Sequence, residues 1–228
     1  MLRMNMPHTI KARRLSFRAP QAGATLSEVF PDPGAEAAAA GFVLAQLGPG
    51  TAPVLWIQDR LVQRETGRPF LRGLGLQRPL MLMQLSRPID MMVAIEEGLR
   101  CKALAAVVAE IRGNPTAVSF TAMKRFALRT EASGVACWLI RQMAIADLSA
   151  ARDRWRIATL PSAPNSDDPQ APGDPRWRVE LFRSRDRQPG EWVERHERRT
   201  KDRVDLATAI PDGALAEDAG AIRQRIAR

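Results

Sequence analysis

Residues Glu28–Leu47 read EVFPDPGAEAAAAGFVLAQL, and how this stretch folds decides the class of the chain. Glu28, Val29 and Phe30 suit a strand. Pro31-Asp32-Pro33-Gly34 is a turn, and the Ala-rich run after it favours a helix. Strand, tight turn and helix is the layout of a phosphate-binding loop. Such a loop needs glycines for close backbone approach, a Lys for the phosphates and a Ser or Thr for magnesium. Here the helix begins Ala35, Glu36, Ala37, Ala38, so the layout is present and the chemistry is not.

Working outward, strands and helices alternate. APVLWIQD holds the apolar run Val54–Ile57 and reads as a buried strand. RLVQRETGRPFLRGLGLQ is a connection with a short helix, and PLMLMQLS is a further apolar strand. RPIDMMVAIEEGLRCK carries apolar residues at Ile89, Met92, Val93, Ile95 and Leu99, which is helical spacing. ALAAVVAEIRG reads as a central strand. NPTAVSFTAMKRFALRTEASG is an amphipathic helix closed by Gly134, and VACWLIRQM is one more buried strand. Apolar strands alternating with helices predict an α/β fold, a mostly parallel sheet flanked by helices.

Beyond residue 150 the pattern changes. DRWRIATLPSA and RWRVELFRSRDRQPGEWVERH alternate apolar with charged residues, predicting an antiparallel C-terminal extension at one sheet edge. Between them PNSDDPQAPGDP predicts a mobile Pro-rich loop over about 161–175. The expected organisation is a basic arm at 1–25, a core at 26–194 and a charged tail at 195–228. Basic runs mark both ends, Lys11–Arg18 and Arg195–Arg203, and GALAEDAGAIRQRIAR suggests a short terminal helix.

The chain has 228 residues, 45% of them hydrophobic, and no Tyr. Net charge is +9 with a pI near 10.9, which points to an anionic partner such as nucleic acid; Arg-rich composition alone produces the same charge. Two cysteines, Cys101 and Cys137, and two histidines, His8 and His196, stand far apart. That inventory disfavours a zinc site or a Cys/His nucleophile, and both cysteines are expected to be buried apolar residues. No apolar run approaches the roughly 18–20 residues of a membrane helix. The start lacks a secretory h-region, so a cytoplasmic location is expected.

Several stretches, in order and spacing, resemble the ImuA family of RecA-like accessory proteins of error-prone DNA synthesis. They are LSEVFPDPGAEAAAAGFVLAQL, APVLWIQD, AIEEGLRCKALAAVVAEI, ASGVACWLIR, RDRWRIATLPS and PRWRVELFRSRDRQPGEWVE. The resemblance spans about residues 26–194 and implies a RecA-like P-loop-NTPase core. It also implies a damage-inducible protein working beside an ImuB-like relative of Y-family polymerases and an error-prone C-family DNA polymerase. Contact with RecA or single-stranded DNA is a further expectation. SulA, an inhibitor of cell division acting on the division tubulin, belongs to the same superfamily and gives the alternative function.

Against the RecA pattern, Gly34, Glu36, Ala37 and Ala38 form a degenerate nucleotide loop, with Ala37 and Ala38 where Lys and Thr would stand. At about 4 Å and an effective dielectric near 20, one unit-charge contact is worth about 4 kcal/mol. Replacing a Lys attraction by a Glu36 repulsion could therefore remove several kcal/mol of binding. Asp59 is the stand-in for the water-activating acid, and Glu110 falls near the magnesium-binding position, where a solvated role is expected. Glu96 and Glu97 are sequence neighbours on different helix faces, with no paired-carboxylate chemistry. No enzymatic activity, cofactor or metal is expected. Candidate nucleic-acid or partner contacts are Lys124, Arg125, Arg129, Arg141, Arg152, Arg154 and Arg156. Trp155, Trp177, Trp192 and Phe182 read as strand residues of the core.

Overall fold

The computed structural model describes residues 24–69, 78–165, 168, 170–196 and 204–208. The elements run β1 (Leu26–Pro31), α1 (Glu36–Gln46), β2 (Val54–Asp59), α2 (Arg60–Thr66), β3 (Leu80–Leu85), α3 (Pro88–Gly98) and β4 (Ala106–Arg112). They continue α4 (Phe120–Ser133), β5 (Ala136–Gln142), β6 (Asp153–Leu160), β7 (Arg176–Ser184), β8 (Gly190–His196) and β9 (Val204–Thr208). The described strands form one nine-stranded sheet in the order β3-β2-β4-β5-β1-β6-β7-β8-β9. From β3 to β6 every pairing is parallel, and from β6 to β9 every pairing is antiparallel.

Helices α1 to α4 join the successive strands from β1 to β5 and cover both sheet faces, which lets the strands be apolar throughout. On one face α1 packs Ala38, Ala39, Phe42 and Val43 against Val54, Trp56, Val108, Trp138 and Trp155. On the other, Met91, Met92 and Ile95 of α3 and Met123 and Phe126 of α4 meet Leu55, Ile57, Val107, Ala109 and Leu139. Burying one such large side chain contributes roughly 1.5–3 kcal/mol, so the two layers dominate stability. The Phe42 ring lies 5.1 Å from that of Trp155 and edge-on to Trp138 at 6.1 Å. Gly41 sits in the middle of α1 because a Cβ there would fall 2.7 Å from the Trp177 ring. Its absence lets the antiparallel extension close onto the helix.

Local signals set the helix ends. Pro88 occupies the first turn of α3, and Ser119 Oγ accepts from the Ala122 N–H at the start of α4. Gly134, at φ 77°, closes α4 as expected.

The structure adds to the sequence reading at several points and differs from it at others. β3 is apolar yet forms the sheet edge, with Met81, Leu82 and Met83 exposed. β6 is parallel to β1 before the meander begins, because it completes the parallel block on the far side of β1. β8 runs to His196, and β9 adds a strand inside the stretch read as a charged tail. The described ends of the Pro-rich loop are held together: Ala163 N–H donates to Asp174 O at 2.8 Å, and Pro164 bridges Pro172. Cys137 is buried, whereas Cys101 is exposed in the turn after α3. The Lys11–Arg18 run, most of Arg195–Arg203 and the expected terminal helix lie outside the described residues. Among the described residues no helix is long and apolar enough to cross a membrane.

Candidate functional site

The turn between β1 and α1 sits at the C-terminal end of a parallel strand, where α/β sheets commonly hold ligands. Three of its backbone donors, those of Asp32, Gly34 and Ala35, are engaged within the protein. Pro31 and Pro33 have no N–H to offer. The Asp32 N–H donates to Ile157 O at 2.8 Å, and the Ala35 N–H donates to Asp32 O at 2.9 Å. The Gly34 N–H donates to Glu36 Oε1 at 3.3 Å. The helix's own carboxylate thus takes the donor that a phosphate oxygen would need. Gly34 has φ +84°, and a Cβ placed on it would meet nothing within 4 Å, so this glycine serves the turn conformation and not a close approach. Ala35 caps α1 without a side-chain bond, Ala37 is exposed and Ala38 is buried in the core.

Asp59 is a helix cap. Its Oδ1 accepts the Leu61 N–H at 2.7 Å and the Val62 N–H at 3.4 Å at the start of α2. Glu110, expected to be solvated, is 5% exposed. It lies on the α1 face because Trp56, Glu110 and Gln142 all alternate onto that side of their strands. Trp56 Nε1 donates to Glu110 Oε1 at 2.5 Å, Gln58 Nε2 donates to the same oxygen at 2.9 Å, and Gln142 Nε2 donates to Oε2 at 2.9 Å. Gln58 Nε2 also donates to Gly67 O, and its Oε1 accepts from Gln63 Nε2, which ties α2 to this face. Burial pushes the Glu110 carboxyl up to about 7, against the pull of its three donors. The cluster links β2, β4 and β5 and holds α2 down.

The candidate cations divide sharply. Arg141 and Arg154 are 2% and 3% exposed, not surface contacts. Both grip Glu28, Arg141 through Oε1 and Arg154 through Oε2, each at 2.8 Å. Arg141 also donates to Gly113 O, and both guanidiniums lie over the Phe30 ring. A charge buried in mid-strand needs this compensation. Arg125 and Arg129 of α4 both pair with Glu96 of α3, so Glu96 is a bridge between helices, while Glu97 pairs with Arg100. Arg152 holds Asp186 and Glu131, and Arg156 holds Glu180 while stacking on Phe182. Of the seven candidates, Lys124 alone carries no ion pair among the described residues. Trp155 and Trp177 are core residues, and Trp192 packs against the same cluster. No group of three metal-ligating side chains occurs among the described residues.

Sequence reasoning missed two features whose signal was present: a Glu inside LSEVF, and polar residues Gln58, Glu110 and Gln142 ending apolar strand runs. Each is a buried polar group that demands partners, but which residues pair depends on strand order. Glu194 is a third case. It is fully buried on β8, neither carboxyl oxygen has a hydrogen-bond partner among the described residues, and burial raises it to about 8.

No protein-family model matches the chain. Two curated proteins from two strains of Caulobacter vibrioides, each called Protein ImuA, are 32% identical to it over 151 residues. The match covers 61% of this chain and 59% of each relative, so the chain spans about three-fifths of the length of the curated relatives it matches. Over that shared segment the protein is similar to ImuA.

Proposed function

We propose that this chain is a RecA-like domain that has given up nucleotide turnover and acts as a non-catalytic accessory protein of damage-induced, error-prone DNA synthesis. The similarity to Protein ImuA supports the process. The parallel sheet, with a turn and helix following β1, supports the RecA-like assignment. The observation that carries the non-catalytic reading is the Glu36 carboxylate on the Gly34 N–H, beside Ala37 and Ala38 where a cation and a hydroxyl would be required. A triphosphate arriving there would meet the Glu36 carboxylate, and the cation beside the turn, Arg178, already lies 3.8 Å from the Asp32 carboxylate.

In this reading the protein joins an ImuB-like polymerase relative to a C-family polymerase, with RecA as a further partner. Direct DNA binding through the seven candidate cations is not favoured, because six of them already hold carboxylates. Co-purification of the full chain with an ImuB-like protein and the error-prone polymerase tests the role. A stable complex with either is the expected result. Capture of the division GTPase with no polymerase component would transfer the protein to the SulA-like alternative.

A further inference from the structure

The connection from β5 to β6 departs from the others in the parallel block, and its reading does not rest on the function proposed above. β1 lies between these two strands and runs parallel to both, so residues 143–152 must return along the sheet from one edge to the other. A crossover of this kind usually carries a helix. Among the described residues this one carries none, and an extended arm runs beside α4 instead. Asn114, in the loop leading into α4, pins its start. Asn114 Nδ2 donates to Ile145 O at 2.8 Å and to Asp147 Oδ2 at 3.1 Å, and the Ile145 N–H donates to Asn114 Oδ1 at 2.8 Å. At its far end the Arg152 N–H donates to Leu26 O at 2.9 Å, and the Arg152 guanidinium lies 3.5 Å from Glu131 of α4. Between these ties Ala150 and Ala151 join the core beside Met123 and Phe126.

Held in this way, the arm leaves its large side chains in solvent. Met143 is 69%, Ile145 79% and Leu148 68% exposed, the highest values for any large apolar residue among those described. Met143 also has φ 51°, a left-handed conformation that no other described non-glycine residue adopts. Such strain persists where the surroundings fix it, here through the Gly113 N–H on Gln142 O and the Asn114 bonds. α4 adds Phe120 and Leu128, both exposed, each one turn from Lys124. The two flanks of α4 differ. Toward α3, Glu96 answers Arg125 and Arg129. On the other side Lys124 has no ion pair among the described residues, while the nearby acids Asp147 and Glu131 are already bonded to Asn114 and Arg152.

We propose that an acidic amphipathic helix of a partner protein docks along α4 and this arm, taking the place beside α4 that a crossover helix would have filled. Its apolar face covers Met143, Ile145, Leu148, Phe120 and Leu128, and a carboxylate on it meets Lys124 as Glu96 meets Arg125 and Arg129. A helix is about 10–12 Å across and an extended chain is thinner, so the arm leaves room for a second layer against the flank of α4. Exposed apolar side chains gathered in one patch mark such a contact, where single ones do not. Charge chooses the occupant. A second copy related by a two-fold axis would bring another Lys124 to the same patch, whereas an acidic helix complements it. The net charge of +9 acts in the same sense.

The test uses the full chain and a fluorescein-labelled peptide, Glu-Ala-Leu-Glu-Gln-Leu-Leu-Glu-Ala-Leu-Glu-Gln-Leu-Leu, whose leucines share one helix face. One control has the same composition with its leucines spread around the helix; another carries Lys in place of Glu. The expected result is saturable binding of the first peptide, a gain of helix on binding and slowed hydrogen exchange in the arm. Ile145→Lys with Leu148→Lys should weaken it by about tenfold. Lys124→Glu should weaken it by about threefold, a loss that shrinks in high salt, and should shift preference toward the Lys control. Met81→Lys, at the opposite end of the parallel block, should leave binding unchanged. All these side chains are exposed, so native circular dichroism in each variant verifies the comparison. Absence of binding, equal binding of either control, or unchanged affinity in the Ile145 and Leu148 variant would overturn the proposal. So would a concentration-dependent dimer, or adsorption to phosphatidylglycerol vesicles, abolished by that variant, which would assign the patch to a second copy or to a lipid surface.

Discussion

Two buried glutamates, on opposite faces of one sheet, solve the same problem differently. Glu28, in β1, is held between two guanidiniums, Arg141 and Arg154, on the α4 side. Glu110, in β4, is held by three neutral donors, Trp56, Gln58 and Gln142, on the α1 side. The first is compensated by charge and the second by dipoles alone. The lesson concerns what each arrangement demands when a partner is lost. A cation left behind in the core cannot shed its charge, because arginine stays protonated. A neutral donor left behind loses only its hydrogen bond.

The largest effect should therefore follow Glu28→Ala. It strands two buried arginines, and removal of one partner from a buried pair costs about 3–5 kcal/mol. Chemical denaturation should register a loss in that range, and partial recovery is expected when Arg154→Met is added. A loss under about 1 kcal/mol would mean that the cations find other compensation.

Glu110→Ala comes next. It leaves the Trp56 indole N–H without its acceptor, at about 1–3 kcal/mol where water does not reach it, while Gln58 Nε2 keeps the Gly67 carbonyl. Glu110→Gln should be milder, because the Gln58 and Gln142 amides can turn to offer oxygen where they now offer nitrogen. Equal losses from both substitutions would show that the packing of the side chain, and not its acceptors, is what matters.

The pH profile tests the same face without a substitution. Glu110 titrates at about 7 in the folded chain against 4.5 as its ordinary value, and Glu194 at about 8. Both folded values are raised, so the folded state holds these protons more tightly than the unfolded one. Their contribution is complete below pH 4.5 and is lost as pH rises through 7 to 8, by on the order of 3 kcal/mol for Glu110. Thermal unfolding should occur at higher temperature near pH 5 than near pH 8.5, and Glu194→Gln should flatten the upper part of that slope. A profile rising toward pH 8.5 would contradict the neutral-donor account of this face.

The parallel block was legible in the sequence because runs such as VLWI and AAVVA are apolar without alternation, and only a sheet covered on both faces uses such strands. The same signal misled at β3. LMLMQL is as apolar as a central strand, and nothing local records that, among the described residues, no further strand lies beyond it. The Glu28 cluster was hidden for a related reason. Arg141 follows Glu28 by 113 positions and reaches it only because β5 is inserted beside β1. Arg154 alternates with Trp155 as a surface residue would, and pairing with β1 turns it inward. The β1 turn was readable for residue type, since Ala37 and Ala38 are plain in the sequence. The engagement of its amides by Glu36 and Ile157 required the fold.

Calorimetric titration of the full chain with magnesium ATP tests the central claim most directly. The account predicts no saturable heat up to millimolar nucleotide, because Glu36 already occupies the turn and no lysine or hydroxyl stands behind it. Saturable binding at micromolar nucleotide with one site per chain, weakened by substitution at Gly34 or Ala37, would contradict it.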